Sequence, residues 1–262
     1  MNTFQLKIIG LILMTLDHMY QYFKLAGVPI WFNWLGRVVA PIFAFTAVEG
    51  YYHTRDRFKY MRRLYVSSLL MSIGNIIVPM IISRPDGMTV PNNIFSTLFL
   101  ITVYIKAIEL LAEGRYSGDR KKLYRGLVLG VVPIASGFIA SAGYQLGGEW
   151  AYKAISAVLP NPFTTEGGPV FIMIGLIMYF LRQDRVKMVA IYSFISLSML
   201  VSGELTVQRI FFENYQWMMV FSAVFFLLYN GQKGRGVKYL FYAYYPGHIY
   251  FFYVLSAILM LK

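Results

Sequence analysis

Nine apolar stretches occupy the chain almost end to end, at about 6–25, 34–52, 64–82, 94–112, 124–143, 168–181, 186–202, 211–229 and 238–261. Gly, Pro and Asn breaks or charged runs separate them. A helix crosses a ~30 Å hydrocarbon core with ~20 apolar residues, so nine spans consume ~180 residues and leave only connections. Composition agrees: 58% of the residues are hydrophobic and 14% charged, against roughly 25% charged in a soluble domain. The expected fold is all-α, a polytopic integral membrane bundle of about nine transmembrane helices forming a single domain over 1–262. The first stretch reads as a retained helix, not a cleavable leader, because Asp17 and His18 interrupt it and no small-residue cleavage site follows. With no cysteine, disulfide scaffolds, thiolate metal sites and cysteine nucleophiles are excluded.

The net charge of +12 would suggest nucleic acid in a soluble protein. In a membrane protein it first reports topology. Arg55, Arg57, Lys59, Arg62 and Arg63 follow the second stretch, and Arg115, Arg120, Lys121, Lys122 and Arg125 follow the fourth. Arg182, Arg185 and Lys187 follow the sixth, and Lys233, Arg235 and Lys238 precede the ninth. Sixteen of the twenty-four basic residues therefore fall in four alternate turns, while the opposite connections hold Lys24, Arg84, Lys153 and Arg209. The positive-inside rule puts the N-terminus inside and the C-terminus outside.

Two segments depart from a simple bundle. The connection 144–167, with Trp150, Pro160, Pro162 and Gly167, has an amphipathic middle suited to lying at the interface or re-entering. The sixth stretch is short for a complete crossing, as occurs where a helix is buried in protein or borders a wet cavity. No internal repeat, low-complexity tract or glycine-rich phosphate loop is evident.

An ionisable side chain near the bilayer centre costs ~2.5–3.5 kcal/mol on insertion scales, so those within spans are the candidates for function. Lys7 and His18 are eleven positions apart, three helical turns and ~16 Å, and share a face. Asp17 points ~100° away, which suits a cation on another helix, and Arg37 is at a matching depth. Glu49 and His53 form an i,i+4 pair at the inner end of the second helix. His248 reaches the depth of His18 on the ninth helix, beside Tyr245 and a Pro246-Gly247 kink. Lys106 and Glu109, at i,i+3, read as a mutually neutralising pair. A neutral imidazole in a protected site is suited to taking a proton from an amine or hydroxyl. No Ser-centred elbow, HExxH or Asp-rich metal box accompanies it, and His53 lies too close to the inner surface to join His18 and His248 around a metal.

The chain resembles the TraX family, membrane proteins named for acetylation of the F-pilin N-terminus. The likeness runs through Leu6-Lys7-Ile8-Ile9-Gly10 and Met14-Thr15-Leu16-Asp17-His18, then Leu35-Gly36-Arg37 to Phe45 and Val48-Glu49-Gly50-Tyr51-Tyr52-His53. It continues in Asn93-Ile94-Phe95-Ser96-Thr97-Leu98, Tyr229-Asn230-Gly231 and Tyr245-Pro246-Gly247-His248. It is also similar to the broader membrane-embedded acyltransferases, whose first active-site helix carries a basic residue and, eleven positions on, a histidine. Here these are Lys7 and His18, with Lys where many relatives have the bidentate Arg.

The resemblance implies acetyl transfer from acetyl-CoA, without a metal, to an amine acceptor at the outer side, most simply a peptide N-terminus and pilin-like. His18 would act as base or as acetyl carrier, Arg37 or Tyr245 would polarise the thioester carbonyl, Asp17 would partner Arg37, and His248 would assist the leaving thiolate. The nucleotide would dock by Lys7, Arg55, Arg57, Arg62 and Arg63, with Glu49 and His53 beside them. The alternative is a non-catalytic transporter or a conjugation and pilus-assembly scaffold, and basic turns that bind anionic membrane lipid would explain the cationic inner face without chemistry.

Overall fold

The computed structural model describes residues 1–201, 205–236 and 238–260, and no strand occurs among them. The helices are α1 (Thr3–Phe23), α2 (Trp31–Gly36), α3 (Val39–His53), α4 (Arg57–Ile81), α5 (Ile94–Ser117), α6 (Arg120–Val158), α7 (Gly168–Phe180), α8 (Arg185–Ser198), α9 (Ser222–Leu228) and α10 (Lys238–Met260). Their starts are written in the sequence: Asn2 caps α1 in a reciprocal capping box with Gln5, and Asn93, Asp119 and Asp184 cap α5, α6 and α8. Four segments among the described residues are long and apolar enough to cross a membrane: Trp31–His53, Arg57–Ile81, Ile94–Ser117 and Arg120–Val158. Gly168–Phe180 and Gln216–Leu228 are apolar but shorter. The protein is a helical membrane protein.

Three expected helices are modified. The second is interrupted at Arg37–Val38 between α2 and α3; Pro41 has no N–H to offer the Arg37 carbonyl, so the helical ladder fails there. The eighth begins as a π-helical turn at Arg209–Glu213 and a 3-10 segment at Gln216–Phe221 before α9. The fifth extends beyond its apolar run into α6, which has non-helical backbone at Gly148, φ 66° and ψ −158°.

Two compact units share the chain. The first comprises Met1–Thr46, Val78–Val90 and Phe180–Lys262. Its centre is the α1–α10 pair, which runs parallel: Thr15 meets Tyr244, His18 meets His248, and Tyr22 and Phe23 meet Tyr253 and Phe252. The residue numbers rise together along both helices. Gly36 lets α2 approach α1, since a Cβ there would lie 2.0 Å from Asp17 Oδ1. At the far end of the pair the segment 84–88 forms a clasp. Arg84 donates to both carboxylate oxygens of Asp86, to the Tyr22 carbonyl and to Ser256 Oγ, while Tyr253 donates to the Met88 carbonyl. Arg84, counted by sequence as a sparse outer charge, is therefore buried.

The second unit comprises Ala47–Ile77 and Pro91–Tyr179. Here α5 and α6 form a tight hairpin in which Gly114 and Gly126 admit the neighbouring backbone to about 3 Å of a would-be Cβ. At Gly148 the chain reverses. Glu149–Val158 folds back along the end of α6, bringing Tyr152 onto Tyr144, Ile155 against Gly143 and Phe163 against Phe138. This is the segment that the sequence suggests would re-enter or lie at the interface. The α5 start is held by Asn93, which donates to the Ser68 carbonyl and to Ser72 Oγ, and by Thr97, which donates to the Glu166 carbonyl.

Candidate functional site

His18 sits fifteen residues into α1, about 22 Å from its start, and is only 3% exposed. Its Nδ1 is 2.7 Å from Nε2 of His248 on the parallel α10. The Nδ1 of His248 is 2.6 Å from the Tyr244 carbonyl. A carbonyl only accepts, so this nitrogen carries the proton and His248 Nε2 carries a lone pair. With both rings neutral, His18 Nδ1 must then donate to that lone pair, and the basic lone pair of His18 is assigned to Nε2. The two rings lie nearly parallel with centroids 4.9 Å apart, and Tyr244 stacks on His248 at the same separation. Tyr245 meets His18 edge-on, with centroids 6.3 Å apart. One turn nearer the N-terminal ends, Thr15 Oγ1 and Tyr244 Oη are 2.7 Å apart and half-buried.

Asp17 faces another way, as its position next to His18 requires, and is held by Arg37 Nη2 at 3.0 Å. Arg37 also donates to the Asn33 carbonyl, Asn33 Oδ1 and Gln216 Oε1, and lies over the Tyr215 ring. Every nitrogen of the guanidinium is engaged. Asn33 Nδ2 in turn donates to Tyr215 Oη. Asn33, Tyr215 and Gln216 were not among the sequence candidates, because nothing in their local spacing announces that 33 and 216 converge.

In the second unit Glu49 and His53 are 3.6 Å apart, the expected i,i+4 pair. Glu109 is a hub, not one half of a pair. Arg57 Nη1 is 2.9 Å from each of its oxygens, Tyr179 donates to it at 2.5 Å, and Lys106 lies at a looser 3.8 Å. The Arg57 guanidinium also covers the buried Tyr51 ring, 5.0 Å from its centroid. Arg63 lies over the Tyr60 ring, while Arg55 and Arg62 are exposed. Lys7, in the first unit, is half-buried on α1.

A parallel helix pair that buries two mutually bonded imidazoles beside an ion pair defines a class, a helical membrane protein with a polar centre built from its first and last helices. The particular family follows from comparison. The family described as TraX protein matches residues 3–256, and the chain belongs to it. A probable fimbrial assembly protein FimC, serogroup H1, of Dichelobacter nodosus is 39% identical over 67 residues, 24% of this chain. The matched stretch spans 27% of that protein's length. No solved structure gives a significant match.

Proposed function

We propose that the protein is a nine-span acetyltransferase of the bacterial cytoplasmic membrane, with its N-terminus inside, moving an acetyl group from cytosolic acetyl-CoA to an amine at the outer side. The hydrogen-bonded His18–His248 pair, on helices that rise in parallel from one side, carries this reading. It supplies one imidazole nitrogen with a lone pair and a second ring that fixes the tautomer, which is what a general base requires. Lys7 lies on the same face of α1, about 16 Å below, a separation comparable to an extended pantetheine arm.

In the proposed reaction the neutral acceptor amine attacks the thioester carbonyl carbon. His18 Nε2 takes the proton that the nitrogen sheds, the carbon–sulfur bond breaks, and the proton returns to the leaving thiolate. His248 orients His18 and shares the charge that forms on it. Every Arg37 nitrogen is already bound to Asp17, Asn33 or Gln216, and Tyr245, whose ring meets His18 edge-on, is the second candidate to polarise the carbonyl. With His18 at 3% exposure, the donor approaches along the half-buried Thr15–Tyr244 flank. On this topology the turn with Arg55, Arg57, Arg62 and Arg63 faces the cytoplasm, where it and the neighbouring Glu49–His53 pair influence the approach of an anionic donor. The acceptor is a peptide N-terminus, and the fimbrial name of the partial relative favours a pilin-like one.

The test uses purified full-length protein, isotope-labelled acetyl-CoA and a pilin-like peptide. Transfer that is lost in His18→Ala is the expected result, and transfer undiminished in that variant overturns it. The fimbrial relative also favours a second reading, a non-catalytic pilus-assembly factor. A specific donor raises the apparent melting temperature by mass action, so no shift with acetyl-CoA or CoA would favour the assembly factor.

A further inference from the structure

The segment Tyr229–Gly236, read in sequence only as part of a family likeness, is built against the first turn of α1. The Lys233 carbonyl accepts from Phe4 N–H at 3.2 Å, the Gln232 carbonyl accepts from Thr3 N–H at 2.8 Å, and Thr3 Oγ1 meets Tyr229 Oη at 3.1 Å. Two glycines make the path available. Gly231 and Gly234 have φ of 77° and 67°, and a Cβ on Gly234 would come within 2.8 Å of the Asn2 side chain. Arg185 donates to the Tyr229 carbonyl and lies over the Tyr229 ring, pinning the segment from its other side.

This arrangement fixes Lys233 beside α1 one turn below Lys7, and its charge acts on the Lys7 ammonium. The segment 229–236 contains Lys233 and Arg235 but no acidic residue, and Lys7 is the only charged side chain in α1 before Asp17. Neither Lys7 nor Lys233 takes part in a side-chain ion pair among the described residues. Adjacent ammonium groups without a counter-charge repel one another, and an anion between them removes that cost. The helix terminus itself does not take the anion. The N–H groups of Thr3, Phe4, Gln5 and Leu6 are already bound to Gln232, Lys233 and Asn2. Recognition therefore falls to the side chains.

We infer that Lys7, Lys233 and Arg235 form a phosphate site, with the glycine-bearing segment Tyr229–Gly236 as its frame. The ligand class is a multiply charged phosphate ester, and the nucleotide end of the acyl donor is the source the structure favours because Lys7 and His18 share one face of α1. The identity of the donor rests on the acyl-transfer reading; the phosphate chemistry does not. Anionic lipid headgroups offer the same groups at the same membrane surface.

The test measures CoA affinity of the full-length protein in phosphatidylcholine nanodiscs, for the wild type, Lys233→Gln/Arg235→Gln and His18→Ala. Phosphatidylglycerol nanodiscs form a second arm, read by the apparent melting temperature. A nucleotide site predicts that the double variant binds CoA at least tenfold more weakly while His18→Ala binds as the wild type does. A Lys233→Arg control retains binding. If His18→Ala also transfers acetyl normally, the catalytic reading falls while the phosphate site stands. If the wild type ignores CoA but phosphatidylglycerol raises its melting temperature and the double variant loses that rise, the site is a lipid site. CoA affinity equal in wild type and double variant, or response of the wild type to neither ligand, overturns the proposal.

Discussion

His18 Nδ1 and His248 Nε2 lie 2.7 Å apart across two parallel helices, although 230 positions separate them in the chain. The Tyr244 carbonyl fixes the direction of the bond by accepting from the far nitrogen of His248. A backbone carbonyl thus does for this pair what a carboxylate commonly does for a catalytic imidazole: it selects the tautomer. It does so without adding a negative charge beside the two buried rings.

On the proposed reaction, replacing His18 by Ala is expected to lower acetyl transfer by ~10²–10⁴-fold, the usual contribution of a positioned general base. His248→Ala keeps the base but lets it rotate and lose its tautomer bias, so the loss should be smaller, on the order of tenfold to a hundredfold. His248→Gln presents an acceptor oxygen and should recover part of it. Initial rates at saturating acetyl-CoA check the order of the three variants. Equal activity of His248→Ala and wild type would remove the orienting role.

Much of this centre is legible in the sequence because a helix has a fixed pitch. The eleven-residue spacing puts Lys7 and His18 on one face, and adjacency turns Asp17 away toward Arg37. The depth of His248 on the last helix follows from counting residues. Partners whose meeting depends on tertiary packing are not legible. Glu109 appears beside Lys106 in sequence, yet its close partners Arg57 and Tyr179 come from other helices. The docking of Tyr229–Gly236 against the first turn of α1 is likewise not legible, because it depends on backbone hydrogen bonds between segments more than 220 positions apart.

Asp17 and Arg37 form a pair whose side chains are 17% and 25% exposed. Breaking one partner strands the other, and Arg37→Ala should cost about 3 kcal/mol, the lower end for such a pair. Asp17→Asn combined with Arg37→Gln leaves no charge behind and should be less damaging than Arg37→Ala alone. Gly36→Ala tests the same contact sterically, because its new methyl group would collide with the Asp17 carboxylate. Apparent melting temperatures in detergent rank the three. A double variant no more stable than Arg37→Ala would mean that the two charges are uncoupled.

The clasp at the far end of α1 and α10 has a defined acid limit. Hydrogen bonds from Arg84 hold the Asp86 carboxyl down at about 2, against an unfolded value near ~3.9. A depressed carboxyl stabilises the folded clasp above its unfolded value, and that contribution disappears as pH falls through the window from about 4 to about 2. Limited proteolysis between residues 82 and 90 should stay slow down to about pH 4 and accelerate below it. Asp86→Asn should shorten the resistance at neutral pH and flatten its dependence on acid. A wild-type cleavage rate that already rises between pH 7 and 5 would contradict this assignment.

Glu109 ties Arg57 of α4 to Tyr179 at the end of α7, with the Arg57 guanidinium spread over Tyr51 of α3. Its removal leaves a partly buried cation over a buried ring with no counter-charge. Glu109→Gln keeps the shape and one acceptor oxygen but surrenders the charge, so it should cost less than Glu109→Ala. The alanine variant should lose about 2–3 kcal/mol. Lys106→Ala removes only the 3.8 Å partner and should fall within about 0.5 kcal/mol of wild type, as a loose helix pair does. The order Ala, then Gln, with Lys106→Ala near neutral, follows from a hub centred on Arg57. If Lys106→Ala matched Glu109→Ala in the loss of apparent melting temperature, the i,i+3 pair read from sequence would be the dominant interaction and the Arg57 contact a minor one.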